Sequence, residues 1–136
     1  MIGVLLLGQR EVGEALVVAA EHVLGARPGQ LEVLPLEHDC DPDQLRQMIT
    51  QHLARLDHGE GVLILADIYG ASHTNVACRL LAANHVEMVC GVNLPMLLRV
   101  LNYRQQPLAE VVRKALSGGG EGIVRAGSEQ RNAGAG

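Results

Sequence analysis

The chain has 136 residues, of which 48% are hydrophobic, and a formal net charge of −4. This length suits one domain that buries roughly two-thirds of its unfolded-chain surface. Its only aromatic residues of the Phe, Tyr and Trp types are two Tyr, which argues against a surface that stacks single-stranded nucleic acid. The acidic balance, with ten Arg and one Lys that form no basic run, also argues against a phosphate-backbone partner. We expect no nucleic-acid partner.

Targeting and redox signals are weak. The three cysteines lie far apart without a CxxC pair, which is typical of reduced thiols inside the cell. The apolar start, Met1–Leu7, is too short for a secretory signal and lacks a basic leader. No apolar run is long enough to span a bilayer. We therefore expect a cytoplasmic protein without direct membrane insertion.

Aliphatic runs alternate with helical patterns along the chain. The predicted strands are Ile2–Leu7, Leu31–Leu36, Gly61–Ala66 and Val86–Val92. The predicted helices are Val12–Leu24, one beginning at Asp41-Pro42-Asp43, one from about Ala71 to Ala83, Pro95–Tyr103 and Leu108–Leu116. Continuous aliphatic strands are typical of parallel sheets that are buried on both faces. The pattern predicts an α/β fold: a doubly wound, mainly parallel four-stranded sheet with helices on both faces.

The C-terminal part departs from this alternation. Gly118-Gly119-Gly120 is expected to stop the last helix, and Glu121–Ala126 could add a short fifth, antiparallel strand. Residues 127–136 are polar and rich in Gly and Ala, which predicts a disordered tail. No linker or internal repeat divides the rest, so residues 1–126 are expected to form a single domain.

Asp67 directly follows the third predicted strand, in front of a small-residue turn that opens a helix. Right-handed crossovers place the ends of strands one, three and four along one rim of the sheet, where open α/β sheets have their ligand sites. A carboxylate there can orient a neighbouring base or nucleophile, or it can cap the following turn. We favour the first interpretation because Gly8-Gln9-Arg10 and Asn93-Leu94-Pro95 end at the same rim.

These residues resemble a known family, the IIA component of the mannose/fructose/sorbose class of the bacterial phosphoenolpyruvate-dependent sugar phosphotransferase system. The resemblance extends over about Ile2 to Arg125. The matching stretches are Gly13-Glu14-Ala15-Leu16, Gly61–Asp67, Gly70-Ala71-Ser72-His73-Thr74-Asn75, Gly91-Val92-Asn93-Leu94-Pro95-Met96-Leu97 and Lys114-Ala115-Leu116.

The resemblance implies a phosphocarrier without a cofactor or a metal. A histidine after the first strand accepts a phosphoryl group from the histidine phosphocarrier protein and passes it to a IIB component, and a carboxylate matching Asp67 orients that histidine. The phosphoryl oxygens would be received by the turn at Ile68, Gly70, Ala71 and Ser72. The resemblance also implies a homodimer in which the C-terminal segment is exchanged, and a peripheral link to the membrane through a permease complex.

The chain departs from the family at the acceptor. The family pattern after the first strand is a small residue followed by His-Gly. Counting back from Gly13 places Gln9 at the histidine position, and a one-residue shift would place Arg10 there instead. Neither an amide nor a guanidinium is a phosphoryl acceptor at neutral pH. Arg10 could bind an anion beside Asp67, although simple neutralisation of that carboxylate is the more common role of such a residue.

His73 stands where relatives usually carry Pro, at the mouth of the same site. It could be a relocated acceptor, but we favour a surface residue in the first turn of the helix. Three functions stay open at this point: a IIA component with an altered site, a regulatory or decoy relative that binds the histidine phosphocarrier without taking its phosphoryl group, and a small-ligand-binding domain with Asp67 as a contact.

Overall fold

The aliphatic runs form the strands of one parallel sheet. The structure is a computed structural model that describes residues 1–37 and 40–127. Its elements are β1 (Gly3–Gln9), α1 (Val12–Leu24), β2 (Leu31–Leu36), α2 (Pro42–Leu56), β3 (Val62–Ala66), α3 (Ser72–Cys78), β4 (Val86–Cys90), α4 (Leu94–Tyr103) and α5 (Leu108–Glu121). Their order confirms the predicted alternation of strands and helices.

The sheet has the strand order β2-β1-β3-β4, and every neighbouring pair is parallel. The chain moves from β1 to one side to make β2 and then crosses to the other side to make β3. The topological switch point therefore lies between β1 and β3, where Leu7 is the register partner of Ala66. Ligand sites of doubly wound sheets lie outside the carboxyl ends of the strands at such a point.

Helices cover both faces of the sheet, as predicted. Alternate β1 side chains point to opposite faces: Val4 and Leu6 join a core with α1, α4 and α5, whereas Leu5 and Leu7 join a core with α2 and α3. All four of these side chains are buried. This double burial explains why the central strands read as unbroken aliphatic runs.

The C-terminal region differs from the prediction, because α5 continues through the three glycines to Glu121 and residues 122–126 form no strand within the chain. The glycines allow α5 to approach α4 closely. A Cβ atom at Gly118 would lie 2.6 Å from Cβ of Arg99, and one at Gly122 would lie 2.3 Å from Cβ of Pro95. Packing between helices thus overrides the low helix propensity of glycine.

The helix after β3 is shorter than predicted and ends at Cys78 rather than near Ala83. The N–H groups of Arg79 and Leu80 bond to carbonyls three residues earlier, which tightens the chain into a 3₁₀-like turn. The predicted tail lies almost wholly outside the described residues, since 128–136 are not among them. No helix in the described ranges is both long enough and apolar enough to cross a membrane.

Candidate functional site

The site is built where β1 and β3 end side by side. Asp67 directly follows β3, and Gly8 is the residue of β1 that faces it. A Cβ atom at Gly8 would lie 3.1 Å from both Cγ and Oδ2 of Asp67, which is tighter than most real contacts of this kind. Glycine therefore lets the carboxylate pack against the β1 backbone. Gly8 was not among the site residues predicted from the sequence, although its place at the predicted rim was a usable signal.

Three donors hold the carboxylate of Asp67. Oδ2 accepts a hydrogen bond of 2.9 Å from the backbone N–H of Gln9. Oδ1 accepts one of 2.8 Å from the backbone N–H of Ile68 and lies 2.6 Å from Nε2 of His73. The Asp67 side chain is only 14% exposed. Asp67 therefore serves both as a partner of an imidazole and as a cap of its own turn.

The hydrogen bonds keep Asp67 ionised. Burial alone would raise its pKa, but the bonds donated by the Gln9 N–H, the His73 ring and the Ile68 N–H outweigh burial and leave the pKa of Asp67 below its ordinary value. Hydrogen bonds that are made to the charged form of a carboxyl lower its pKa in this way. The site thus offers a fixed negative charge at neutral pH.

His73 is not a surface residue, which corrects our interpretation of the sequence. It is 5% exposed and turned inwards onto Asp67. Because a carboxylate can only accept, Nε2 must carry the proton of that hydrogen bond, and in the neutral ring Nδ1 holds the lone pair. Nδ1 has no hydrogen-bond partner among residues 1–37 and 40–127. Asp67 therefore fixes both the tautomer and the orientation of this imidazole.

Gln9 and Arg10 lie on different sides of the end of β1. Gln9 is the last residue of the strand, and its exposed side chain lines the cavity beside His73. Arg10 has a φ of +39°, a left-handed conformation that favours glycine. Arg10 lines a neighbouring depression with Glu11, Glu14 and Glu37, and within the described chain it makes no ion pair with Asp67.

A cavity of about 410 Å³ opens beside His73, the partner of Asp67. Its lining residues are Gln9, Leu36, Glu37, Cys40, Leu45, Gly70, Ala71, Ser72 and His73. Leu36 of β2 and Leu45 of α2 line the cavity but were not predicted from the sequence. The register pairs Gln9 with Leu36 and thus brings the end of β2 to the same rim.

Three of the four residues of the predicted phosphate-binding turn line the cavity, and Ile68 does not. Gly70, Ala71 and Ser72 line the cavity, whereas the Ile68 side chain is exposed and its N–H is already bonded to Asp67. Ser72 is the first residue of α3, and the N-cap is Ala71, which makes no side-chain capping bond. In the described ranges, no three His, Cys, Asp or Glu side chains are grouped as a metal site would require.

Comparisons with known proteins identify the family. The family described as PTS system fructose IIA component matches residues 3–116. The chain is 35% identical over 115 residues to the PTS system mannose-specific EIIAB component of Escherichia coli (strain K12). The matched region covers 81% of this chain. The chain spans only 35% of the length of that relative. It is 30% identical over 106 residues to the PTS system fructose-specific EIIA component of Bacillus subtilis (strain 168), covering 77% of this chain and 72% of the relative.

Solved structures share the fold. The EIIA component from Streptococcus agalactiae superposes with a TM-score of 0.81 at 18% identity, over 92% of this chain and 97% of its own. The mannose/sorbose specific IIA subunit from Enterococcus faecalis gives 0.81 at 14% identity, over 93% of this chain and 95% of its own. With the family match over most of its length, the chain belongs to the mannose/fructose class of IIA components of the sugar phosphotransferase system.

Proposed function

We propose that this chain is a IIA component that binds the phosphocarrier and IIB partners of the system but takes no phosphoryl group at position 9. The observation that carries the proposal is Gln9, which stands at the position of the family's acceptor histidine. The lone pair of an amide nitrogen is delocalised into its carbonyl, so the Gln9 side chain is not a nucleophile for phosphorus.

The intact surroundings support a binding role. Asp67 is still ionised, half-buried and fixed by three donors. The turn at Gly70, Ala71 and Ser72 still borders an open cavity. Partner binding without transfer would make the protein a regulator of phosphoryl flow, because it would compete with active IIA components for the same phosphocarrier.

One observation favours a second candidate, phosphorylation of His73. Its Nε2–H is held by Asp67, so Nδ1 of the neutral ring holds the lone pair, and this is the electronic arrangement that a nucleophilic imidazole needs. Against it stands the burial of the ring, which is 5% exposed, because the acceptor must meet a phosphohistidine on another protein. We therefore rank it second.

Intact-mass measurement distinguishes the two candidates. The protein is incubated with phosphoenolpyruvate, enzyme I and the histidine phosphocarrier, beside a family member that carries the histidine as a positive control. We expect no phosphoryl adduct on the natural chain but saturable binding of the phosphocarrier in an NMR titration. An adduct that disappears in His73→Gln would replace the first candidate by the second, and absence of binding would overturn both.

A homodimer is part of the proposal. β4 is an edge strand of the sheet, and the segment after α5 exposes two aliphatic side chains, Ile123 at 78% and Val124 at 61%. Pairing of residues 122–126 with the β4 edge of a second copy would cover both features. We expect light scattering to give the mass of a dimer, and the double substitution Ile123→Asp and Val124→Asp to yield monomers. A monomeric natural chain would overturn this part.

A further inference from the structure

We propose that His73 has replaced the acceptor imidazole as the partner of Asp67, so that a histidine restored at position 9 cannot act until the His73 ring is removed. This inference rests on the proposed function and deepens it. It makes His73 a positioning residue of the site: it determines which imidazole the carboxylate orients.

The hydrogen bonds of Asp67 leave little room for a second imidazole. A carboxylate offers about four lone-pair positions on its two oxygens. Oδ1 receives both the Ile68 N–H and the His73 Nε2–H, and Oδ2 receives the Gln9 N–H. The remaining position lies on Oδ2, the oxygen against which Gly8 is packed. The oxygen on the His73 side is therefore fully engaged.

Burial makes this pairing persistent. His73 is 5% exposed and the Asp67 side chain 14% exposed, so a competing side chain would have to expel a packed ring. The position-9 side chain, in contrast, starts from the exposed end of β1. A new imidazole there would have the cavity to rotate in, but Oδ1 is fully engaged and only one lone-pair position, on Oδ2, is left to fix the ring.

Phosphoryl transfer to an imidazole requires a carboxylate oxygen as the hydrogen-bond partner of the acceptor ring. In the transfer, the lone pair of the acceptor nitrogen forms a new N–P bond while the N–P bond of the phosphocarrier histidine breaks, and its electron pair returns to the donor ring. The acceptor's other nitrogen keeps its proton, and the carboxylate stabilises the positive charge that develops on the ring. An imidazole without the carboxylate has neither a fixed tautomer nor this stabilisation.

The experiment compares four full-length proteins: the natural chain, Gln9→His, Gln9→His with His73→Ala, and Gln9→His with His73→Gln. His73→Ala frees Oδ1, whereas the matched control His73→Gln keeps an N–H donor beside Asp67 without a nucleophile. Each protein is phosphorylated from phosphoenolpyruvate through enzyme I and the phosphocarrier. Phosphohistidine is counted by intact mass and located by peptide mapping, and thermal melting verifies that every variant is folded.

We expect the alanine double variant to be labelled at position 9 at least about tenfold faster than Gln9→His or the glutamine double variant. A tenfold difference in rate corresponds to about 1.4 kcal/mol of transition-state stabilisation by the carboxylate. Equal labelling of the two double variants, including no labelling of either, would overturn the inference. So would labelling of Gln9→His alone at the rate of the alanine double variant.

A spectroscopic readout separates positioning from a merely structural role. In the natural chain we expect a slowly exchanging ring N–H resonance from His73, which is lost in the alanine double variant and replaced by one from the histidine introduced at position 9. Failure of that second resonance to appear would overturn the inference. Labelling of the natural chain itself would instead overturn the proposed function, and the two failures are therefore distinguishable.

Discussion

The backbone N–H of Gln9 donates a hydrogen bond of 2.9 Å to Oδ2 of Asp67, and this bond joins the carboxyl ends of β1 and β3. The donor belongs to the main chain, so any residue except proline can supply it at position 9. The hydrogen bond to Asp67 is therefore independent of which side chain position 9 carries. This explains how the carboxylate stays fixed in a chain with Gln at position 9.

Replacing Asp67 by Asn tests how strongly the carboxylate organises the site. An amide keeps the shape but has one acceptor oxygen, so at least one of the three present donors would face an N–H group. An unsatisfied buried donor costs about 1–3 kcal/mol, and we expect Asp67→Asn to lower the free energy of unfolding by an amount in this range. Urea unfolding at neutral pH measures it. An unchanged midpoint would show that the three hydrogen bonds contribute nothing net.

The same pair of proteins tests the lowered pKa of Asp67. A carboxyl whose pKa is lower in the folded state contributes stability above its unfolded pKa of about 3.9, and this stability is lost as the pH falls through the folded pKa. The stability advantage of the natural chain over Asp67→Asn should therefore be full near neutral pH and shrink below about pH 4. Glu14 and Glu32 also have lowered pKa values, but both proteins share them. A difference that stays constant down to pH 3 would contradict this assignment.

The sequence could predict the half of the site that depends on strand ends. Aliphatic runs show where β1 and β3 end, and the crossover rule brings Gln9 and Asp67 to one rim. It could not predict the direction of His73. Polar neighbours on both sides of a first-turn residue normally indicate solvent, and only the actual start of α3 at Ser72 shows that the ring reaches back to the carboxylate.

The close approach of Gly8 to Asp67 predicts that a methyl group at position 8 destabilises the fold. In an unstrained position Gly→Ala stabilises a protein by about 0.4–1 kcal/mol, but a Cβ atom at Gly8 would press on Cγ and Oδ2 at 3.1 Å. We expect Gly8→Ala to destabilise the fold by about 1–3 kcal/mol, as overpacking does, and to shift the Gln9 amide resonance. Gly29→Ala is the matched control, since no atom lies within 4 Å of its Cβ position. Equal effects at both positions would refute the steric argument.

The glycines of α5 predict stability changes of opposite sign when Gly118 and Gly120 are replaced by alanine. A Cβ atom at Gly118 would meet Cβ of Arg99 at 2.6 Å, whereas one at Gly120 would meet nothing within 4 Å. Gly120→Ala should therefore stabilise the protein by about 0.5–1 kcal/mol through helix propensity. Gly118→Ala should destabilise it, because α4 and α5 would have to separate. Thermal melts of the two variants measure the signs, and stabilisation by both would show that the close packing of the helices is not required.

The left-handed conformation of Arg10 predicts that glycine is the better residue there. Its φ of +39° forces a Cβ atom towards the following carbonyl, which costs roughly 1–2 kcal/mol, while glycine loses about 0.5–1 kcal/mol through its freer unfolded chain. Arg10→Gly should therefore be neutral or stabilise by up to about 1.5 kcal/mol. Arg10→Ala removes the same charge but keeps the Cβ atom, so it isolates the backbone contribution. We expect the glycine variant to have the higher urea midpoint of the two; the reverse order would mean that position 10 relaxes to a negative φ in solution.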